Sequence, residues 1–532
     1  MTSKTASYEY DSLGRLTAVK FPNNGGSAIY AYDAAGNRTT VVEVPALGSP
    51  GAALTVDGFA KRNTGDFNNA AMLVKLSNGE LVGWGDCTNG VLANGIAAAK
   101  NQPVQRVLFD PNTTLPPFDA TIVEWTFTNA NLYVVFSNGW VYSAGQNAYG
   151  QLGTGEATSI VRPQLKRIEY FVTNGKSVTK VWASGARSTT DGAGCVYFQT
   201  SDYALYGCGA NAGGNLGAGG TANQTTPVLC GGVTTSPYVT DVAIACGSTS
   251  FSTYVLMSDG TLLVAGWNAQ GQLGNNTTAN VSGGFVAAQL NTGGTVNFIS
   301  ISANAGWNGT TAVGNALGVD ASGNVWTTGY SGHGELGQGN TANLHQFTKI
   351  AALSNIVKAE LGCGLYGLGY AIDAAGMFYT WGYNGQNNLF QNNSTTQQSP
   401  VAATFVPGLV SKVFLPKGGY LSTNAQIIVL TTSGKLVYAG ADDGQLPIDN
   451  AVNSGAYFYI ALPRVLLDGT ENIVDVYVHG SAATQRWFVL TDAGNLYACG
   501  NNTDSVATGG FASDTIATSV ACFKLGLALV DG

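Results

Sequence analysis

Charge is scarce in this 532-residue chain. Lys, Arg, Asp and Glu together make up 10% of it, against about 25% in an ordinary soluble protein. With 31 acidic and 23 basic residues the net charge is −8, and no basic stripe gathers anywhere. A nucleic-acid surface held by phosphate contacts is therefore not expected. Histidine is scarcer still: His333, His345 and His479 stand alone, none at ligand spacing. That argues against a three-histidine zinc site or a histidine-based triad. The eight cysteines are scattered, with no C-x-x-C pair, and read as small buried hydrophobes. No apolar run reaches the roughly 18 residues of a spanning helix. Phosphate-loop and calcium-loop spacings are missing too. Met1-Thr2-Ser3-Lys4-Thr5 has no apolar stretch of the kind that opens a secretory signal. No cofactor, metal or membrane span is expected. Asp110, Asp119 and the pair Asp442-Asp443 read as solvated turn residues rather than an acid–base pair.

What the chain has is glycine, 72 residues of it, and 45% hydrophobic residues. That is enough apolar material for a core and too little charge for disorder. The glycines are periodic. Anchor glycines at Gly85, Gly145, Gly209, Gly266, Gly329, Gly382, Gly440 and Gly500 lie about 60 residues apart. Six positions before each stands a turn glycine: Gly79, Gly139, Gly260, Gly323, Gly376, Gly434 and Gly494, with Tyr203 in that place in the third copy. Apolar β-rich runs flank each turn, as in Leu132-Tyr133-Val134-Val135-Phe136 before Gly139 and Trp140-Val141-Tyr142 after it. This is a hairpin signal. With one or two further apolar runs per period and no helical periodicity, each period holds about four short strands, a propeller blade. A leucine seven after the anchor recurs at Leu92, Leu152, Leu216, Leu273, Leu336 and Leu389, and is expected to plug the loop from beneath. Trp84, Trp326 and Trp381 lie within strands and read as core.

The loop Gly145-Gln146-Asn147-Ala148-Tyr149-Gly150-Gln151-Leu152-Gly153, repeated at 266–274 and 329–337, resembles the repeat of the regulator of chromosome condensation family. The resemblance covers about residues 54 to 532. It implies an all-β propeller of four-stranded blades over 51–532. Eight hairpins favour eight blades, with seven plus an accessory unit as the alternative. Leu54-Thr55-Val56 would open the first blade and 517–525 would finish the last. Two departures bear on function. The family's histidine after the inner-strand glycine is missing at Gly185-Ala186-Arg187, Gly247-Ser248-Thr249 and Gly480-Ser481-Ala482, and there is no basic tail. A nucleotide-exchange role is therefore not expected. In copies six and seven, Phe390 and Pro447 break the loop pattern.

Residues 1–50 follow another rule. Tyr8-Glu9-Tyr10-Asp11-Ser12-Leu13-Gly14-Arg15 recurs as Tyr30-Ala31-Tyr32-Asp33-Ala34-Ala35-Gly36-Asn37-Arg38. The segment resembles the YD repeat of Rhs proteins, toxin-complex shells and teneurins. Two β-hairpins are expected, with Asp and Gly making the turn and Tyr8, Tyr10, Arg15, Tyr30, Tyr32 and Arg38 as anchoring residues. Two hairpins alone bury little surface, so this segment would dock on the propeller or join other chains. Val44-Pro45-Ala46-Leu47-Gly48-Ser49-Pro50-Gly51 reads as a linker.

The position after the anchor glycine varies, and Trp267, Tyr330 and Tyr383 fall there in consecutive copies. With Trp307 and His333 they are candidates for an aromatic binding platform, the bland alternative being packing between blades. No catalytic residue is expected. The leading expectation is a non-enzymatic structural or attachment protein of a bacteriophage virion (tail fibre, head fibre or decoration protein), made in the host cytoplasm. Residues 1–50 would join other virion or shell proteins, or further copies of this chain. The propeller loops would meet a host-surface glycan or protein. An exported Rhs-related bacterial protein, a soluble protein-binding propeller and a carbohydrate-degrading enzyme are the alternatives.

Overall fold

The computed structural model describes residues 7–10, 16–20, 27–32, 38–44, 55–59, 71–97, 102–128, 130–156, 158, 160–185, 193–247, 251–307, 312–362, 367–391, 393–406, 408–415, 427–440, 458–460, 471–479, 486–501 and 519–524. Arg15, the linker at 45–51, the tripeptides after Gly185, Gly247 and Gly480, the pair Asp442-Asp443 and Pro447 lie outside these residues.

The described strands form nine four-stranded antiparallel sheets, each with its strands in chain order. The first is the N-terminal sheet, with strands Ser7–Tyr10, Leu16–Lys20, Ser27–Tyr32 and Arg38–Val44. The two expected hairpins are thus one sheet, zipped through Ala18↔Ile29. The sequence repeat is a structural repeat as well: register shifts occur at Glu9/Tyr10 and at Ala31/Tyr32. Tyr8 stands opposite Val19, Tyr10 opposite Leu16, Tyr30 opposite Val41 and Tyr32 opposite Arg38.

The other eight sheets are the blades. They open at Val56, Ile122, Val178, Val239, Phe298, Ile356, Val410 and Ile473. Eight apolar clusters, each built from two blades, weld them together. Blade 1 packs on 2 through Leu73 and Leu132, 2 on 3 through Val135 and Phe198, and 3 on 4 through Tyr197 and Val255. Blade 4 packs on 5 through Tyr254 and Phe298, 5 on 6 through Val319 and Trp381, 6 on 7 through Tyr370 and Val429, and 7 on 8 through Tyr438 and Trp487. The last cluster joins Trp84 of blade 1 to Phe488 of blade 8. The ring is therefore closed with eight blades, and the seven-blade alternative falls away. Closure leaves each sheet face covered by its neighbour. The second strand of a blade is sandwiched on both faces: Asn131–Phe136, Phe251–Met257 and Ile427–Thr431 are buried throughout, Ser252 and Thr253 included.

The first strand of each blade lies innermost. First strands of neighbouring blades approach one another, and Lys358 of blade 6 acts electrostatically on Asp475 of blade 8, two blades away. The turn glycine has a specific task. At five junctions the first residue of the next blade donates its N–H to that glycine's carbonyl: Val178 to Gly139, Phe298 to Gly260, Ile356 to Gly323, Val410 to Gly376 and Val56 to Gly494. The approach is so close that a Cβ on Gly139 would collide with Ser177. Between blades 3 and 4 the arrangement changes. Tyr203 holds positive φ (64°) in the glycine's place. Its ring stacks on Tyr238 at 4.6 Å, with both tyrosines exposed.

Sequence reading missed one element, a single-turn helix at Glu169–Thr173. It tucks Phe171 between blades 2 and 3. One reading needs correction: Asp110 is not a solvated turn residue. It is 8% exposed, its Oδ1 accepts from Asn112 N–H at 2.8 Å, and Arg162 pairs with it at 3.5 Å.

Candidate functional site

In blades 1 to 6, at the end opposite the turn glycines, the third strand runs into the glycine-rich loop. The anchor glycine allows this. Gly145 has φ +114°, and a Cβ there would overlap the Ala130 carbonyl oxygen, so no side chain fits. The six loop leucines are all buried, at 0–1% exposure, as the plug expectation requires. In blades 2 to 6 what holds the plug is the residue two after the anchor. Asn268 Oδ1 accepts from Leu273 N–H at 2.9 Å, while its Nδ2 donates to the Thr277 and Ala279 carbonyls at 2.9 and 3.1 Å. Asn211 and Asn384 make the same clasp. Asn147 accepts from Leu152 N–H at 3.0 Å, and Ser331 takes the place in blade 5.

At four junctions the variable residue after the anchor meets the residue four after the anchor of the preceding blade. Gln146 Nε2 donates to Asn89 Oδ1 at 2.7 Å. Tyr149 packs on the cluster that holds Ala210. Trp267 covers Gly213, where a Cβ would stand 2.9 Å from its backbone nitrogen. His333 meets Tyr383 edge to face at 5.5 Å. Polar thus faces polar at the first of these contacts, large faces small at the next two, and ring meets ring at the fourth. Trp267, Tyr330, His333 and Tyr383 are all half-buried. Tyr330 and Tyr383 fold back over the glycine two positions on, their hydroxyls filling the space that a Cβ on Gly332 or Gly385 would need. The structure brings His333 and Tyr383 together and seats Trp267 against blade 3. Trp307 ends the first strand of blade 5, opposite Ala312, and its side chain lies outside the described residues. Burial holds the His333 imidazole below its ordinary pKa.

Beneath this rim sits a group that sequence reading passed over. Glu335 is 1% exposed, in the loop seat filled by Gln151 and Gln272 in blades 2 and 4. Burial pushes its carboxyl up to about 7, although backbone N–H groups of His333, Gly367 and Glu335 itself favour the charged form. The His333 N–H lies 2.7 Å from Oε2. Among the described residues no basic side chain pairs with it, and no group of three His, Cys, Asp or Glu could hold a metal ion. A cavity of about 10 Å³ opens beside it, lined by Asn304, Gly306, Asn315, Tyr330 and Gly367 among others. The signal was a Gln-to-Glu exchange in one loop copy.

An eight-bladed propeller with clasped glycine loops is the class that this geometry defines. Among curated proteins, the chain is 24% identical over 387 residues to the ultraviolet-B receptor UVR8 of Arabidopsis thaliana, covering 72% of this chain and 78% of that one. It is 24% identical to the human E3 ubiquitin-protein ligase HERC2 over 77% of this chain, which spans only 8% of that protein. Among solved structures, yeast RCC1 (Prp20), bound to Kap60, aligns at 16% identity and TM-score 0.48, covering 69% of this chain and 78% of its own. The propeller is RCC1-like, as the loop motif implied. The RHS Repeat family matches residues 10–45, in agreement with the second resemblance.

Proposed function

We infer that this chain is a binding propeller, a rigid wheel whose loop face grips a protein partner, joined to an RHS-type sheet that ties it to a larger assembly. The carrying observation is the contrast within one loop. In blades 2 to 6 the acceptor for the plug's N–H, the plug and the anchor glycine repeat. The seats one and four after the anchor change in size and polarity, with Gln146, Tyr149, Trp267, Tyr330, His333 and Tyr383 half-exposed there and Asp86, Ala210 and Gly213 buried. Repetition marks scaffold, and variation on a rigid rim supplies a surface particular to one partner. Trp267, Tyr330, His333 and Tyr383 give that rim its aromatic sector, the residue types that dominate contact energies. The RCC1-like relatives support the same class.

A virion attachment protein, with the RHS-type sheet anchored in the particle and the rim meeting a host glycan or protein, is the finer reading. The low charge and high glycine content support it. The RHS match supports an exported Rhs-related protein as its rival. Mass spectrometry of purified particles and of exported fractions separates the two. For the shared core of the proposal, the full chain carrying Trp267→Ala, Tyr330→Ala and Tyr383→Ala should stay folded and lose a partner that co-purifies stoichiometrically with the parent. Undiminished co-purification would overturn the loop-face assignment.

A further inference from the structure

We propose that the cavity between blades 5 and 6 binds a primary ammonium group, supplied by a lysine of the protein partner. The source of the ammonium rests on the loop-face reading above; the site itself does not.

The loop does not need a charge at Glu335. In blades 2 and 4 the same seat is a neutral amide that performs the same structural task. Tyr149 N–H donates to Gln151 Oε1 at 2.9 Å and Gln270 N–H to Gln272 Oε1 at 3.0 Å, just as His333 N–H donates to Glu335 Oε2. Blade 5 differs at the far end of the side chain. Gln272 Nε2 donates to Ser252 Oγ at 3.4 Å, a donor meeting an acceptor. A carboxylate has nothing to donate. The residue at the register of Ser252, opposite the anchor glycine, is Asn315. Its Nδ2 donates to the Tyr330 carbonyl at 3.4 Å. Its Oδ1 is buried and accepts no hydrogen bond among the described residues, in a side chain only 4% exposed. Two side-chain acceptors therefore line one cavity, a carboxylate with no cationic partner and an amide oxygen with no donor.

The chemistry that satisfies both is a cation with several N–H groups. An ammonium head carries three donors, offsets the buried negative charge, and is about the size of a water molecule. The cavity, about 10 Å³, takes one group of that size. A planar guanidinium is too broad for it. Glycines 306, 314 and 367 keep the walls to bare backbone. The position suits entry from the rim, since Tyr330 belongs to both the rim and the cavity wall.

The test is calorimetric titration of the full chain at pH 8 with n-butylammonium and with n-butylguanidinium. The expected result is saturable binding of the ammonium at one site per chain, at least about tenfold tighter than the guanidinium, as a charge-assisted hydrogen bond requires. Glu335→Gln copies the seat of blades 2 and 4 and should weaken binding at least about tenfold. Asn315→Ala, the second variant, should weaken it several-fold. Equal binding of the two cations, no saturable heat, or unchanged affinity in both variants overturns the proposal and leaves the cavity to water. A lysine-bearing partner whose binding survives Glu335→Gln overturns the lysine source alone. Amine binding without any stoichiometric partner supports the site and removes the loop-face reading.

Discussion

Trp84 and Phe488 meet edge to face, ring centroids 6.1 Å apart at an interplanar angle of 72°. One belongs to the first blade and the other to the last. With the Val56 N–H to Gly494 carbonyl bond of 2.8 Å, they close the wheel, among the described residues, by packing and a backbone latch, each blade keeping four strands of its own. Phe488→Ala empties the middle of this seam. It should cost about 3–5 kcal/mol of stability in urea denaturation, while a loss under about 1 kcal/mol would show that the seam is not closed.

Two glycine substitutions separate crowding from backbone conformation. Gly434 holds φ +76° with nothing within 4 Å of where a methyl group would stand, whereas a Cβ on Gly145 would strike the Ala130 carbonyl. Gly434→Ala should lose about 1–2 kcal/mol, the left-handed penalty alone. Gly145→Ala should lose at least about 4 kcal/mol. Thermal midpoints of the two variants, compared directly, check the ranking.

Asn268 satisfies one N–H and two carbonyls at once. Asn268→Ala leaves the buried Leu273 N–H without its acceptor. A loss of about 1–3 kcal/mol is expected, together with faster amide hydrogen exchange at Leu273. Unchanged exchange there would remove the clasp from the account of the loop.

Glu335 makes stability depend on pH. Its carboxyl is raised from 4.5 to about 7 in the native chain, so the native state holds a proton that the unfolded chain releases. The stability from this group is full below pH 4.5 and is lost as pH rises through about 7. The decline across that window amounts to about 3 kcal/mol. Glu335→Gln removes it, so parent and variant should diverge in urea midpoint between pH 5 and pH 8, the parent weakening more. Parallel pH profiles would refute the assignment.

Tyr203 tests the junction of blades 3 and 4. Tyr203→Gly restores the residue found at the other turns and relieves positive φ, but gives up the stack on Tyr238. The two effects are each about 1 kcal/mol, so the thermal midpoint should barely move.

Much of the wheel was readable because the backbone demands it. Anchor glycines such as Gly145 sit where no side chain fits, and Leu152 or Leu273 must fill the same hole in each copy, so both leave periodic marks. The number of blades was legible from the hairpins, while closure needed the contact between Trp84 and Phe488 at opposite ends of the chain. The rim was less legible. Gln146, Trp267 and Tyr383 each answer a residue on the preceding blade (Asn89, Gly213 and His333), so a single copy, read alone, shows only variation. Phe390 looked like a defect in its loop. It keeps the left-handed backbone, φ +56°, and its own ring enters the seam of blades 6 and 7. In blades 3 and 4 Gly217 and Gly274 leave that room to Phe285 and Phe347. Glu335 was hidden because a glutamate for a glutamine looks conservative until its burial is known. Asp110 misled for the opposite reason, since a turn aspartate gives no sign of an arginine fifty residues on.

Seven of the eight seams join stretches adjacent along the chain, and each can assemble as soon as its two blades exist. The seam of Trp84 and Phe488 alone joins segments from the two extremes, at the greatest loop-closure entropy. Assembly therefore runs as a growing arc whose two raw ends, each an uncovered apolar sheet, stay sticky until the final docking. In that interval another molecule's arc competes for the same faces, so dilution during refolding favours the closed monomeric hoop over intermolecular chains.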